Sequence, residues 1–266
     1  MNNYNKSGEF VESNRKAWNQ AALHHHDATW EKLVSNFSNP NYTYFPDWEK
    51  EILISLGING KRIAQPCCNN GRELLSLLRL GAKQCVGFEL SDEFVKMGNA
   101  LSNHCKTPVE FVQCNALDIP TQYHSQFDVV FISVGTLCWF NNMDFFFNSC
   151  NKLLSPKGEF WIIDTHPILD MFVPGGSATQ IATSYFRTEP FVDTEGLDYF
   201  TGKKYESAPT ISFPYRLSDI FQALIKADLA IKDFREFDRE ISLGFPQFNN
   251  PDCPKPPLSF FIHAKH

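Results

Sequence analysis

The residues with the clearest chemical potential are a loop and a lone acid. The loop Gln65-Pro66-Cys67-Cys68-Asn69-Asn70-Gly71 follows a short apolar run at residues 62–64 and leads into a segment with helical periodicity. Small and turn-forming residues thus sit where the first N–H groups of a helix lack intrahelical partners. Glu89 stands 24 residues after Gln65, at the end of the next apolar run, residues 84–89. A carboxylate there accepts hydrogen bonds from the vicinal hydroxyls of a ribose. Together they predict a nucleoside-containing ligand at the carboxyl ends of adjacent strands. His166 stands two residues after the apolar run 159–164, on the same edge. Imidazole titrates near neutral pH, which makes His166 the preferred general base, with capping of the backbone beside Pro167 as the structural alternative.

The elements around these residues follow from periodicity. Helical patterning at 13–23 and 47–56 precedes residue 61. From there, short apolar runs at 62–64, 84–89, 109–113, 127–133 and 159–164 alternate with amphipathic segments at 71–80, 92–105 and 143–154. Ser91 is placed to cap the second of these segments, and Ser155-Pro156-Lys157-Gly158 reads as a turn into the fifth strand. Strands alternating with helices require crossover connections, so the pattern predicts a doubly wound, mainly parallel α/β sheet. The alternation stops between 167 and 216, where Gly, Pro and aromatic residues dominate. That stretch reads as an inserted lid containing strands, in which Tyr185, Glu189 and Tyr215 are candidates to shape a pocket. A helix at 217–227 and strands at 230–237 and 258–264 complete the chain. The division expected is N-terminal helices over 1–60 and one domain over 61–266 carrying the lid.

Composition excludes several classes. The 266 residues suffice for one large domain with an insertion. With 30 acidic against 24 basic residues, the net charge of −6 lacks the footprint that phosphate-backbone binding needs, so nucleic acid is not the expected partner. The opening Met1-Asn2-Asn3-Tyr4-Asn5-Lys6 is polar, and no apolar run approaches the length of a membrane span. No membrane association and a cytoplasmic location are expected. The eight cysteines lack the paired spacing of a disulfide framework or zinc site and read as small buried hydrophobes. His24-His25-His26 cannot all face one ion from a helix, and no carboxylate or cysteine pattern completes a set, so no metal is expected. The 25 Phe, 8 Tyr and 5 Trp exceed what a core commonly needs and suit an apolar pocket.

Four stretches carry a family resemblance: Ile63-Ala64-Gln65 running to Gly71, the acid Glu89, Phe127-Asp128-Val129-Val130, and Leu154-Ser155-Pro156-Lys157-Gly158. Through them, residues 61–166 resemble class I S-adenosylmethionine-dependent methyltransferases. Asn14-Arg15-Lys16-Ala17-Trp18, Leu137-Cys138-Trp139 and Asp164-Thr165-His166-Pro167-Ile168-Leu169 are similar to a bacterial small-molecule branch with an N-terminal capping helix. The resemblance implies a seven-stranded Rossmann-like sheet with an antiparallel last strand. It also implies S-adenosylmethionine as cofactor and methyl transfer to a small-molecule acceptor by displacement at the sulfonium methyl. Carried over by position, Gln65, Cys67 and Gly71 would lie against the methionine portion, Glu89 on the ribose and Leu90 beside the adenine. Asn115 and Ala116 would meet the adenine edge, Ser133 and Gly135 would border the sulfonium, and Trp18 would close over the cofactor.

The loop departs from the family pattern, which has an acid followed by alternating glycines: Gln65 stands in place of the acid, and Gly71 alone remains of the glycines. An uncharged Gln65 cannot balance the cofactor's ammonium group, so a different acid is expected to do so. Two other readings stand beside this one. An NAD(P)-dependent oxidoreductase on a related sheet would need G-x-G-x-x-G at this loop. A non-catalytic S-adenosylmethionine-binding protein would keep the fold without the transfer. The oligomeric state is left open.

Overall fold

The computed structural model describes residues 7–266. The polar opening, residues 1–6, lies outside them, so the reading made of it has no structural counterpart. Two helices precede the sheet, α1 (Ser7–Phe37) and α2 (Asp47–Ser55). α1 is far longer than its periodicity suggests because its buried face changes partner along its length. Ala22 packs with Phe94 and Met97, whereas Leu33 and Phe37 join a different core beneath the sheet. No single apolar stripe therefore runs through the whole segment.

Strands and helices then alternate: β1 (Arg62–Pro66), α3 (Arg72–Arg79), β2 (Gln84–Glu89), α4 (Asp92–His104), β3 (Glu110–Gln113), β4 (Phe127–Ile132), α5 (Met143–Asn151) and β5 (Leu154–Thr165). Ser91 caps α4 as expected, accepting a bond from the Phe94 N–H. The residues read as a turn before β5 lie inside that strand as a bulge. Leu154 pairs with Phe127, and the next pair is Glu159 with Val129, so the intervening residues have no partner across the ladder.

After an irregular stretch come β6 (Phe191–Asp193), β7 (Thr210–Ser212), α6 (Leu217–Lys226), β8 (Ala230–Phe237) and β9 (Ser259–Lys265). The main sheet has the order β3-β2-β1-β4-β5-β9-β8, with β9 antiparallel to both its neighbours. This is the doubly wound, seven-stranded Rossmann-like sheet that the pattern and resemblance imply.

Alternate residues of each central strand feed opposite cores. Ala64, Val86, Val130 and Ile162 pack with α5 and α6, while Ile63, Cys85, Val129 and Trp161 pack with α2 and α3. Within residues 167–216, regular structure comprises a 3-10 turn at Pro167–Met171 and the short antiparallel pair β6–β7. This pair is bound to α1 rather than to the sheet. Asn14 donates to the Ile211 carbonyl and accepts from the Ile211 N–H, at 2.9 and 2.7 Å.

Candidate functional site

β1 and β4 pair only at Ile63–Val129 and Ala64–Val130 and then part. Strand order reverses at this point, so a crevice opens beyond the carboxyl ends of the two strands. The Gln65 side chain spans it, its Nε2 donating to Ser133 Oγ at 2.9 Å. Above the crevice lies a cavity of about 540 Å³, within the ordinary range for a small-molecule site. α1, residues 197–200 of the insertion and residues 239–243 after β8 close it over.

The loop after β1 retains the backbone shape of a glycine-rich turn with few of its glycines. Cys67, Asn69 and Gly71 have φ of 56°, 50° and 71°, so every second residue is left-handed. Asn tolerates this region through local hydrogen bonding, whereas Cys bears a cost of about 1 kcal/mol or more. Glu89 helps to hold the shape. Its Oε2 accepts from the Asn69 N–H at 2.8 Å and its Oε1 from the Ser91 N–H at 2.9 Å. Burial raises the Glu89 pKa above the usual carboxylate range, and these backbone donors partly oppose the shift. Gly71 is required on two counts, since a Cβ there would fall 2.3 Å from the Phe111 ring at a positive φ.

At the other end of the cavity, charges come from several elements. Glu73, in the first turn of α3, accepts from Gln65 Nε2. Gln65 is fully buried, and its Oε1 has no partner. Glu49 of α2 lines the same end, where burial and then the Glu73 charge push its carboxyl up to about 8. Arg72 lies between two rings, with its guanidinium carbon 4.4 Å from the centre of Tyr44 and 5.5 Å from that of Phe200. None of Glu49, Arg72 and Glu73 has an ion-pair partner among the described residues.

Of the residues singled out in the sequence, Cys67, Glu89, Leu90, Asn115 and Ala116 line the cavity on the β1–β3 side. Ser133 and Gly135 line it at the end of β4, and Trp18 covers it from α1. Trp18 packs edge-on against Trp139 at 5.3 Å between ring centres. Gly135 is anchored from beneath, its N–H donating to Asp164 Oδ1 at 2.8 Å. Gln65 and Gly71 lie behind the lining and support it.

The structure does not bring His166 to the cavity, which corrects its placement as general base. The imidazole is buried, its Nδ1 accepting from the Ile168 N–H at 3.1 Å and its Nε2 lying 3.0 Å from Glu236. Burial lowers its pKa, against the pull of Glu236. It caps the turn after β5, the structural alternative considered for it. Tyr185, Glu189 and Tyr215 also lie away from the cavity. Tyr215 is buried with its hydroxyl donating to the Thr165 carbonyl, Tyr185 accepts from the Leu217 N–H, and Glu189 is exposed.

His25 is buried, with Nε2 2.7 Å from the Leu197 carbonyl and its ring against Tyr199 and Phe200. It joins α1 to the insertion, and no metal-type cluster of His, Cys, Asp or Glu occurs among the described residues. Among those residues, no helix is long and apolar enough to cross a membrane. Sequence reasoning missed Tyr44, Glu49, Arg72, Glu73, Tyr199 and residues 239–243, all of which line the cavity. The one signal available was the pairing of Arg72 and Glu73 directly after Gly71.

Residues 65–162 match the family model described as a methyltransferase domain. A tRNA U34 carboxymethyltransferase of Campylobacter lari is 31% identical over 74 residues, which are 28% of this chain and 25% of the relative. The chain thus spans about a quarter of that relative's length. A geranyl diphosphate C-methyltransferase from Streptomyces coelicolor superposes with a TM-score of 0.63 at 12% identity, over 97% of this chain and 98% of its own. An S-adenosylmethionine-dependent methyltransferase from Mesorhizobium loti gives a TM-score of 0.60 at 18% identity, over 81% of this chain and 96% of its own.

Proposed function

We propose, from the match of residues 65–162 to a methyltransferase-domain family, that this chain binds S-adenosylmethionine and transfers its methyl group to a small, mainly apolar acceptor. The observation that carries the reading is Glu89, buried at the end of β2, fixed by two backbone N–H groups and lining the cavity. Each of its oxygens retains acceptor capacity for a ribose hydroxyl, so the residues fit a nucleoside. Leu90 and Ala116 offer apolar contact for a base, and Asn115 a polar edge.

S-adenosylmethionine supplies a methyl group already activated on a positively charged sulfur. What remains for the protein is to align the acceptor and keep water out. Ser133 and Gly135 border the centre of the cavity, and Phe10, Trp18 and Trp139 wall the space beside them. Asp164 fixes this wall by accepting from the Gly135 and Leu137 N–H groups. Burial holds the Cys138 thiol well above its usual range, and no histidine is among the residues lining the cavity. The acceptor nucleophile is therefore expected to arrive with an available electron pair.

Three observations support a small acceptor: the aromatic walls, the net charge of −6 and the likeness to a fold that acts on geranyl diphosphate. The test is calorimetric binding of S-adenosylmethionine followed by transfer of labelled methyl to a panel of small apolar acceptors and to tRNA. Binding with labelling of a small acceptor is expected. Labelling of tRNA alone would overturn the acceptor assignment. Binding of NAD without S-adenosylmethionine would overturn the cofactor assignment, and cofactor binding with no transfer at all would favour a non-catalytic binding protein.

A further inference from the structure

The amino-acid end of the proposed cofactor poses a chemical problem that the β1 loop does not solve. The ligand carries a zwitterion, yet the residue at the end of β1 is the uncharged Gln65. We infer that the first turn of α3 serves as a relocated zwitterion clamp, in which Glu73, set by Gln65 and assisted by Glu49, takes the ligand's ammonium group and Arg72 takes its carboxylate. This rests on the S-adenosylmethionine reading above.

The geometry carries it in three steps. First, Gln65 Nε2 donates to Glu73 and to Ser133 Oγ, which leaves the buried Oε1 without a partner. The amide head lies between two cavity-lining side chains. A buried acceptor left bare costs about 1–3 kcal/mol, a cost removed when a donor arrives. An ammonium group has three donors, and Glu73, which lines the cavity and is held by Gln65, is the acceptor that faces it.

Second, Glu49 and Glu73 line one end of the cavity without a cation paired to either, and burial, followed by the charge of Glu73, raises the pKa of Glu49. Tyr44, Arg72 and Tyr199 are the other titratable or charged side chains there, and Arg239 and Glu240 face the cavity from the segment after β8. Third, the Arg72 guanidinium is held over two rings with no carboxylate in ion-pair reach among the described residues. It shares a side-chain hydrogen bond with Tyr199, and the remaining donors of its five are available for a ligand carboxylate. Two unpaired acids beside one unpaired guanidinium complement an α-amino acid better than a simple cation or anion.

The test compares S-adenosylhomocysteine with 5′-methylthioadenosine, which lacks the amino-acid end, by calorimetry on the full chain. The wild type is expected to bind the first at least about tenfold more tightly. Glu73→Gln and Arg72→Gln should each lower S-adenosylhomocysteine affinity by about tenfold or more and leave methylthioadenosine affinity within about twofold. Gln65→Glu combined with Glu73→Gln returns the acid to β1 and should restore most of the loss. If Glu73→Gln does not fold, the wild type still decides. At pH 7, S-adenosylhomocysteine should release about one proton as Glu49 ionises, seen as a buffer-dependent binding enthalpy, and methylthioadenosine should release none. Equal affinities for both nucleosides with no proton release, or an unchanged Glu73→Gln, would overturn the clamp alone. If neither nucleoside binds the wild type, the cofactor reading fails and the clamp falls with it.

Discussion

At the β2–β3 end of the cavity, one carboxylate projects from a strand terminus and is fixed by the backbone N–H groups of Asn69 and Ser91. At the β1–α3 end, Glu49, Arg72 and Glu73 come from two helices, and Tyr199 reaches them from the insertion. The first end inherits its geometry from the sheet, where register fixes each strand terminus within a fraction of a residue. The second is assembled from side chains on the covering elements. Position is set by the sheet, and charge by what covers it.

The largest effect that would test this contrast is steric. Gly71→Ala drives a Cβ into the Phe111 ring of β3 at a left-handed backbone position. It should cost about 3 kcal/mol or more in urea unfolding, and a loss under 1 kcal/mol would show that the strand-built end is softer than described. Next, Glu89→Ala removes the anchor of the loop and the proposed ribose acceptor together. It should weaken S-adenosylhomocysteine and methylthioadenosine alike by about a hundredfold, unlike Glu73→Gln, which is expected to separate them. A selective loss of one nucleoside would break the division between the two ends.

A smaller effect concerns the cover. Burial pushes the His25 pKa down to about 4, only partly opposed by the Leu197 carbonyl. The unfolded chain, with histidine near 6.5, then binds more protons between those values. Stability supplied by neutral His25 is complete above about pH 6.5 and falls as pH drops toward 4. Melting temperatures at pH 7 and pH 5 should differ more in the wild type than in His25→Gln, and equal differences would remove His25 from the account. The smallest effect is His166→Ala, which loses a cap worth about 1 kcal/mol. Methyl transfer per folded molecule should be unchanged, and a collapse of turnover with intact cofactor binding would return His166 to the chemistry.

How far the sequence discloses these features depends on what each residue reports. Short apolar runs report β1, β2, β4 and the core of β5 directly, because a strand buried on both faces has few alternatives at that length. The position of Glu89 is legible for the same reason: a strand end is a place in space as well as in sequence. His166 also follows a strand, but position beyond a strand end does not say which way a side chain turns, and this one turns toward Glu236 of β8. Glu73 reads as an ordinary acid in the first turn of a helix, favourable with the helix dipole whatever lies above it. Its partners Glu49 and Gln65 are distant or uncharged in sequence. Tyr44, Tyr199 and residues 239–243 belong to stretches without periodicity, where only the folded chain shows what they face.

The bonds between α1 and the insertion have a kinetic consequence. Ser13 donates to the Pro209 carbonyl, Asn14 pairs with Ile211 and Gln20 accepts from the Ala208 N–H, across separations of 196, 197 and 188 residues. Closing so long a loop costs more chain entropy than any neighbouring β–α contact, so it is made after the sheet has already brought the ends near. The roof of the cavity is expected to assemble after the sheet and to come away before it. A partly opened form with an intact sheet is the expected route for ligands in and out, since it leaves the strand-built recognition in place.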